Sequence, residues 1–133
     1  MYTVAVRDHI MIAHSLKGEV FGPAQQLHGA TYVVDVEFRR PELDPNGIVV
    51  DMGRALEVLR EVVRTLSYRN LDDDPMFSSR NSTTEILARV VFDRVADAIA
   101  KGKLGPDARA IDSLRVTLHE SPVARASFEG ALA

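Results

Sequence analysis

The sequence predicts an α+β fold, a four-stranded antiparallel sheet with two helices on one face, in the chain order ββααββ. Three observations predict it. Four segments, two near each end of the chain, alternate apolar and polar residues with the period of a half-buried strand. Two segments between them repeat apolar residues at helical spacing behind a capping residue. The connections carry Gly, Pro, Asn and Asp, the residues that turns select. At 133 residues the chain is expected to form one domain, 1–133.

The first strand is read from Tyr2 to Ile12, where the even positions Tyr2, Val4, Val6, Ile10 and Ile12 are apolar. Residues 15–27 hold two Gly and a Pro and read as a loop. The second strand runs from His28 to Phe38, with Tyr32, Val34, Val36 and Phe38 on one face and Asp35, Glu37 and Arg39 on the other. Asn46-Gly47 turns the chain, and Asp51 caps a helix whose stripe is Leu56, Leu59, Val63 and Leu66, ending near Tyr68. Ser82-Thr83-Thr84-Glu85 reads as a capping box opening a second helix, which carries Ile86, Val90, Val91, Val95, Ala98 and Ile99 and stops at Gly102. Ile111–Glu120 is the third strand, Ser121-Pro122 the turn, and Val123–Phe128 the fourth strand. Two free sheet edges predict self-association.

Composition removes several classes of function. With no cysteine there is no disulfide framework, no thiolate zinc site and no cysteine nucleophile. A net charge of −3 with interspersed signs gives no basic stripe, so nucleic acid is not an expected partner. No run approaches the roughly 20 apolar residues of a membrane span. The start MYTVAVRDH has neither the basic opening nor the apolar stretch of a signal peptide, so the expected location is cytoplasmic.

Five short motifs fall in order on these elements. Ile12-Ala13-His14 ends the first strand and Leu27-His28-Gly29-Ala30-Thr31-Tyr32 begins the second. Gly47-Ile48-Val49-Val50-Asp51-Met52 enters the first helix, Ser82-Thr83-Thr84-Glu85 opens the second, and Glu120-Ser121 ends the third strand. In this series the chain resembles the 6-pyruvoyl- and 6-carboxytetrahydropterin synthases, proteins of the tunnelling fold (T-fold). The resemblance implies a small-molecule pterin ligand, a Zn²⁺ cofactor, and a homo-oligomer in which trimeric barrels stack into hexamers.

Carried over position by position, the resemblance makes His14 and His28 metal ligands. In the family a third histidine stands two residues after His28, so that both imidazoles share a strand face. Here that position is Ala30. His9 is the first candidate to replace it, through a bulge because strand parity places residues 9 and 14 on opposite faces, and Asp8 is the second. By position alone, these histidines read as hydrogen-bonded strand-end residues without metal. His119 is read as facing away. Glu120 corresponds to the acid that accepts hydrogen bonds from the pterin amino group and adjacent N–H, a role that a two-oxygen acceptor suits. Thr83 and Thr84 correspond to threonines lining the pterin pocket, and are equally ordinary first-turn residues.

The family's proton relay is absent. Its cysteine position is Ala24, and the Asp-His pair after the first helix is Ser67-Tyr68. Neither replacement titrates near neutrality; Tyr68, Gln25 and Gln26 are the residues nearby that could reposition the chemistry. The expected function is a zinc-dependent lyase on a pterin related to dihydroneopterin triphosphate, acting without the Cys/Asp/His relay. The alternatives are a non-catalytic pterin- or purine-binding oligomer and a purely structural one.

Overall fold

The computed structural model describes residues 1–132. Strand β1 (Tyr2–His14) and strand β2 (His28–Arg40) pair antiparallel without a break, from Tyr2 opposite Arg40 to His14 opposite His28. Helix α1 (Met52–Arg64) follows, capped by the Asp51 carboxylate, which accepts from the Arg54 amide. After the two-residue strand β3 (Arg69–Asn70), helix α2 (Thr84–Ala100) leads to β4 (Ser113–Ser121) and β5 (Ala124–Ala131). The sheet order is β3-β1-β2-β4-β5.

The α+β layout matches the expectation, and the sheet has one strand more. The fifth strand, β3, lies parallel to Ile12–Ala13 of β1. It exists because α1 stops at Arg64 rather than near Tyr68: Thr65 is the C-cap, and the chain turns at Tyr68, whose φ is +60. That left-handed backbone is costly for a tyrosine. It lets the Tyr68 amide donate to the Met11 carbonyl (2.6 Å) and the Ser67 hydroxyl accept from the Met11 amide (3.1 Å), so the return from α1 is tied to the β1 edge.

The second helix also starts differently. Its N-cap is Thr83, whose hydroxyl accepts from the Ile86 amide (3.2 Å), not Ser82. The Ser82 hydroxyl is held by His14, and the capping role moves one residue on.

Both helices cover the same sheet face, α1 over β1 and α2 over β4 and β5. Tyr32, Val34, Val36, Phe38, Leu114, Val116 and Leu118 rise from the sheet into this core and are 1% exposed or less. Each such burial stabilises the fold by roughly 1.5–3 kcal/mol.

The other face carries no helix and is polar. Asp35 there accepts two bonds from Arg7 (2.6 and 2.8 Å) and pairs with His119 Nε2 (2.9 Å). The Arg7 bonds, assisted by His119, hold the Asp35 carboxyl below its ordinary value of 3.8 against a burial that raises it. A carboxyl depressed in the folded state adds stability at every pH above its unfolded value, and loses it as pH falls through the lower folded value. Stability is therefore expected to decline below about pH 4. Asp35→Asn should flatten part of that decline and cost about 1 kcal/mol at neutral pH, because Arg7 is largely exposed to solvent. Urea titrations across pH 3–7 test both, and an unchanged acid limb in Asp35→Asn would contradict the assignment.

Candidate functional site

At the paired ends of β1 and β2 the structure brings His14 and His28 face to edge, with ring centroids 4.6 Å apart and planes at 61°. His14 is buried, and its Nδ1 lies 3.0 Å from the Ser82 carbonyl and 2.9 Å from the Ser82 hydroxyl. A carbonyl can only accept, so Nδ1 carries the proton and Nε2 is left as a lone pair. The same argument applies to His28, whose Nδ1 lies 2.8 Å from the Gln26 carbonyl. Burial, and then the neighbouring His28, push the His14 pKa below its ordinary value of 6.5 and keep the ring neutral. In the neutral form of each ring the pair therefore offers two unprotonated nitrogens, the Nε2 atoms.

Around it stand groups from β2 itself, from α2, from β4 and from the segment after β3. Tyr32, two pleats along β2 from His28, is buried and lies beside Thr84 in the first turn of α2. Burial raises its pKa first, and the charges of Glu120 and Glu85 raise it further. Glu120 also acts on His14, so the acid, the phenol and the imidazole share one neighbourhood. Glu120 sits where the β4–β5 register shifts, between His119 opposite Arg125 and Ser121 opposite Ala124. Such a bulge redirects a side chain out of the ladder, and here it leaves the carboxylate exposed. Asp72 closes the other side, accepting from the Ser15 amide (3.0 Å) and hydroxyl (2.6 Å). Burial works to raise the Asp72 carboxyl, but these bonds and the nearby His14 and Lys17 bring it below its ordinary value.

The remaining sequence candidates are elsewhere. His9 does not join the pair: β1 runs to His14 with no bulge against β2, so parity holds and His9 lies exposed on the helix-free face. Asp8 shares the pair's face but lies six residues up the strand, about 20 Å away, and its carboxylate accepts from the His9 amide (2.7 Å). His119 faces away from the pair, towards Asp35, as parity requires. Among the described residues no group of three His, Cys, Asp or Glu is placed to hold a metal. At the relay positions, Ala24 contributes its carbonyl to the Leu16 amide, the Ser67 hydroxyl is bonded to β1, and Tyr68 is 81% exposed. Two members of the neighbourhood carry no sequence signal of their role, since Ser82 looks like a helix cap and Tyr32 like a core residue.

The sequence model of the family described as "6-pyruvoyl tetrahydropterin synthase" matches residues 3–131. Over 92 residues, 65% of this chain, the sequence is 32% identical to the 6-carboxy-5,6,7,8-tetrahydropterin synthase of Bacillus subtilis (strain 168), and the match spans 60% of that relative's length. The structure of Caenorhabditis elegans 6-pyruvoyl tetrahydropterin synthase superimposes with a TM-score of 0.80 at 27% identity, covering 97% of this chain and 95% of that one. The Plasmodium falciparum 6-pyruvoyl tetrahydropterin synthase shares the fold, with a TM-score of 0.80 at 18% identity and 98% of each chain covered.

Proposed function

Because the chain belongs to the 6-pyruvoyl tetrahydropterin synthase family, we propose that it binds a pterin between the His14–His28 pair, the first turn of α2 and Glu120, and acts on it without a Cys/Asp/His relay. The observation that carries this reading is the pair itself, two imidazoles whose Nδ1 atoms are tied back to backbone carbonyls, which leaves both Nε2 atoms without a partner among the described residues. Glu120 would anchor the pterin through its amino group and adjacent N–H. The Thr83 hydroxyl accepts from the Ile86 amide and retains its proton for a ligand acceptor, and Thr84 reaches the same place beside Tyr32.

The donor set suits zinc in kind and falls one protein ligand short of the usual three. On this reading His14 and His28 are the ligands that the chain contributes, and the third comes from outside it, from the substrate or a second copy. Bound there, zinc would polarise a substrate oxygen. The substrate proposed is a pterin related to dihydroneopterin triphosphate. Binding without turnover is the second reading, favoured by the non-titrating Ser67 and Tyr68 at the relay positions.

A homo-oligomer, a trimer or a hexamer of two trimers, is part of the same proposal. It is supported by the outer edges of β1, which β3 covers only at Ile12–Ala13, and of β5. No helix among the described residues is long and apolar enough to cross a membrane.

The metal part of the reading is tested by elemental analysis after dialysis against zinc. Wild type should retain the metal and His28→Ala should lose it. Full occupancy in His28→Ala would overturn the assignment.

A further inference from the structure

Strand β2 begins at the histidine pair and ends at Arg40, twelve residues on and about 40 Å away. Arg40 is an unusual residue to find buried. It is 6% exposed, and arginine is rarely withdrawn from water unless an acid pairs with it. Its guanidinium meets only backbone carbonyls: Nε donates to Glu42 (2.5 Å), and Nη1 lies at a long 3.4 Å from both Val49 and Asp107. Among the described residues no carboxylate forms an ion pair with it, and Nη2 has no protein acceptor and opens to solvent.

Arg40 lines a cleft of about 250 Å³ at this end of the molecule, and a second arginine, Arg54, lines it too. Arg54 lies over Gly105, with Nη1 3.0 Å from where a Cβ at that position would stand. Gly105 has φ +86, a left-handed backbone that favours glycine, and the Arg54 side chain would have to shift slightly for any Cβ there. Three acids share the cleft, Asp44, Asp51 and Asp107. Two of them are engaged by amides. Asp44 accepts from Asn46 (2.8 Å) and Ile48 (3.1 Å), and Asp51 accepts from Arg54 (3.0 Å) as the cap of α1. The positive end of the α1 dipole adjoins the same space.

We infer that this cleft is a binding site for a phosphoryl-type oxyanion, held by Arg40 and Arg54. A phosphate presents several acceptor oxygens to planar guanidinium donors, and it supplies the counter-charge that Arg40 lacks within the fold. The site lies at the opposite end of β2 from the proposed pterin crevice and does not depend on it. Its ligand could be a free phosphate or a phosphoryl group on a larger molecule, and inorganic phosphate and pyrophosphate together probe the shared chemistry.

Titration of the full chain with each anion, at ionic strength held constant with chloride, tests the inference. Saturable phosphate binding should raise the midpoint of thermal unfolding, and amide resonances of Arg40 and Gly105 should shift while that of His28 does not. Tighter pyrophosphate binding would mark a larger phosphoryl ligand, and equal binding a single phosphate. Arg54 is exposed and not part of the core, so Arg54→Gln should fold normally and bind about tenfold more weakly, the loss of one charge-assisted contact. No saturable binding of either anion, shifts centred elsewhere, or wild-type affinity in Arg54→Gln would overturn the inference.

Discussion

An Ala30→His variant is expected to bind zinc about 10²–10³-fold more tightly than the wild type. Ala30 stands two residues past His28 on the same face of β2, half-buried and opposite Ile12. A histidine there would face the two free Nε2 atoms from the same strand surface. Four-ligand structural zinc sites gain roughly 10–16 kcal/mol in all, so one ligand is worth about 3 kcal/mol, and each 1.4 kcal/mol is a factor of ten. Competition with a chromophoric chelator measures the difference. Equal affinity in the two proteins would mean that the histidine pair does not hold metal, since a third donor would then have nothing to complete.

A second large effect is expected in turnover. The wild type, even with zinc supplied, should convert dihydroneopterin triphosphate to a 6-pyruvoyl or 6-carboxy product at least about 10⁴-fold more slowly than a synthase with its relay intact. Each positioned acid or base contributes about 10²–10⁴-fold, and three are replaced together, by Ala24, Ser67 and Tyr68. The structure adds a reason why the replacements do not substitute. The Ser67 hydroxyl is already held by the Met11 amide, and the Tyr68 ring is turned to solvent by a left-handed backbone. Product analysis by chromatography checks this. Turnover at the rate of an intact synthase would show that other residues supply the proton transfers.

The strands and helices were legible because their periodicity is strong: β1, β2, α1, α2, β4 and β5 all fall where alternation or helical spacing places them, with boundaries shifted by a few residues. Strand β3 was not, since two residues have no period, and its pairing depends on how the chain leaves α1. Parity alone separates His9 from His14, and only the unbroken β1–β2 register shows that no bulge reverses it. The tie between His14 and Ser82 spans 68 residues and competes with a local role, the helix cap, that the sequence motif suggests more strongly. Glu120 fits the alternation of its strand, whereas its exposure comes from a register shift set by the partner strand β5. For β3 and for Ser82, what the sequence could not contain was the approach of a distant segment.

The central proposal is that Glu120, at the β4 bulge, anchors a pterin beside the histidine pair. Calorimetric titration of neopterin or sepiapterin into the wild type and Glu120→Gln tests it most directly. The amide keeps the shape but loses the charge and one of two acceptors, so binding should weaken by roughly 1.5–3 kcal/mol, about 10–150-fold, while the fold is unchanged. Saturable binding to the wild type with that loss in Glu120→Gln is the result predicted; equal affinity in the two proteins, or no binding to either, would contradict it.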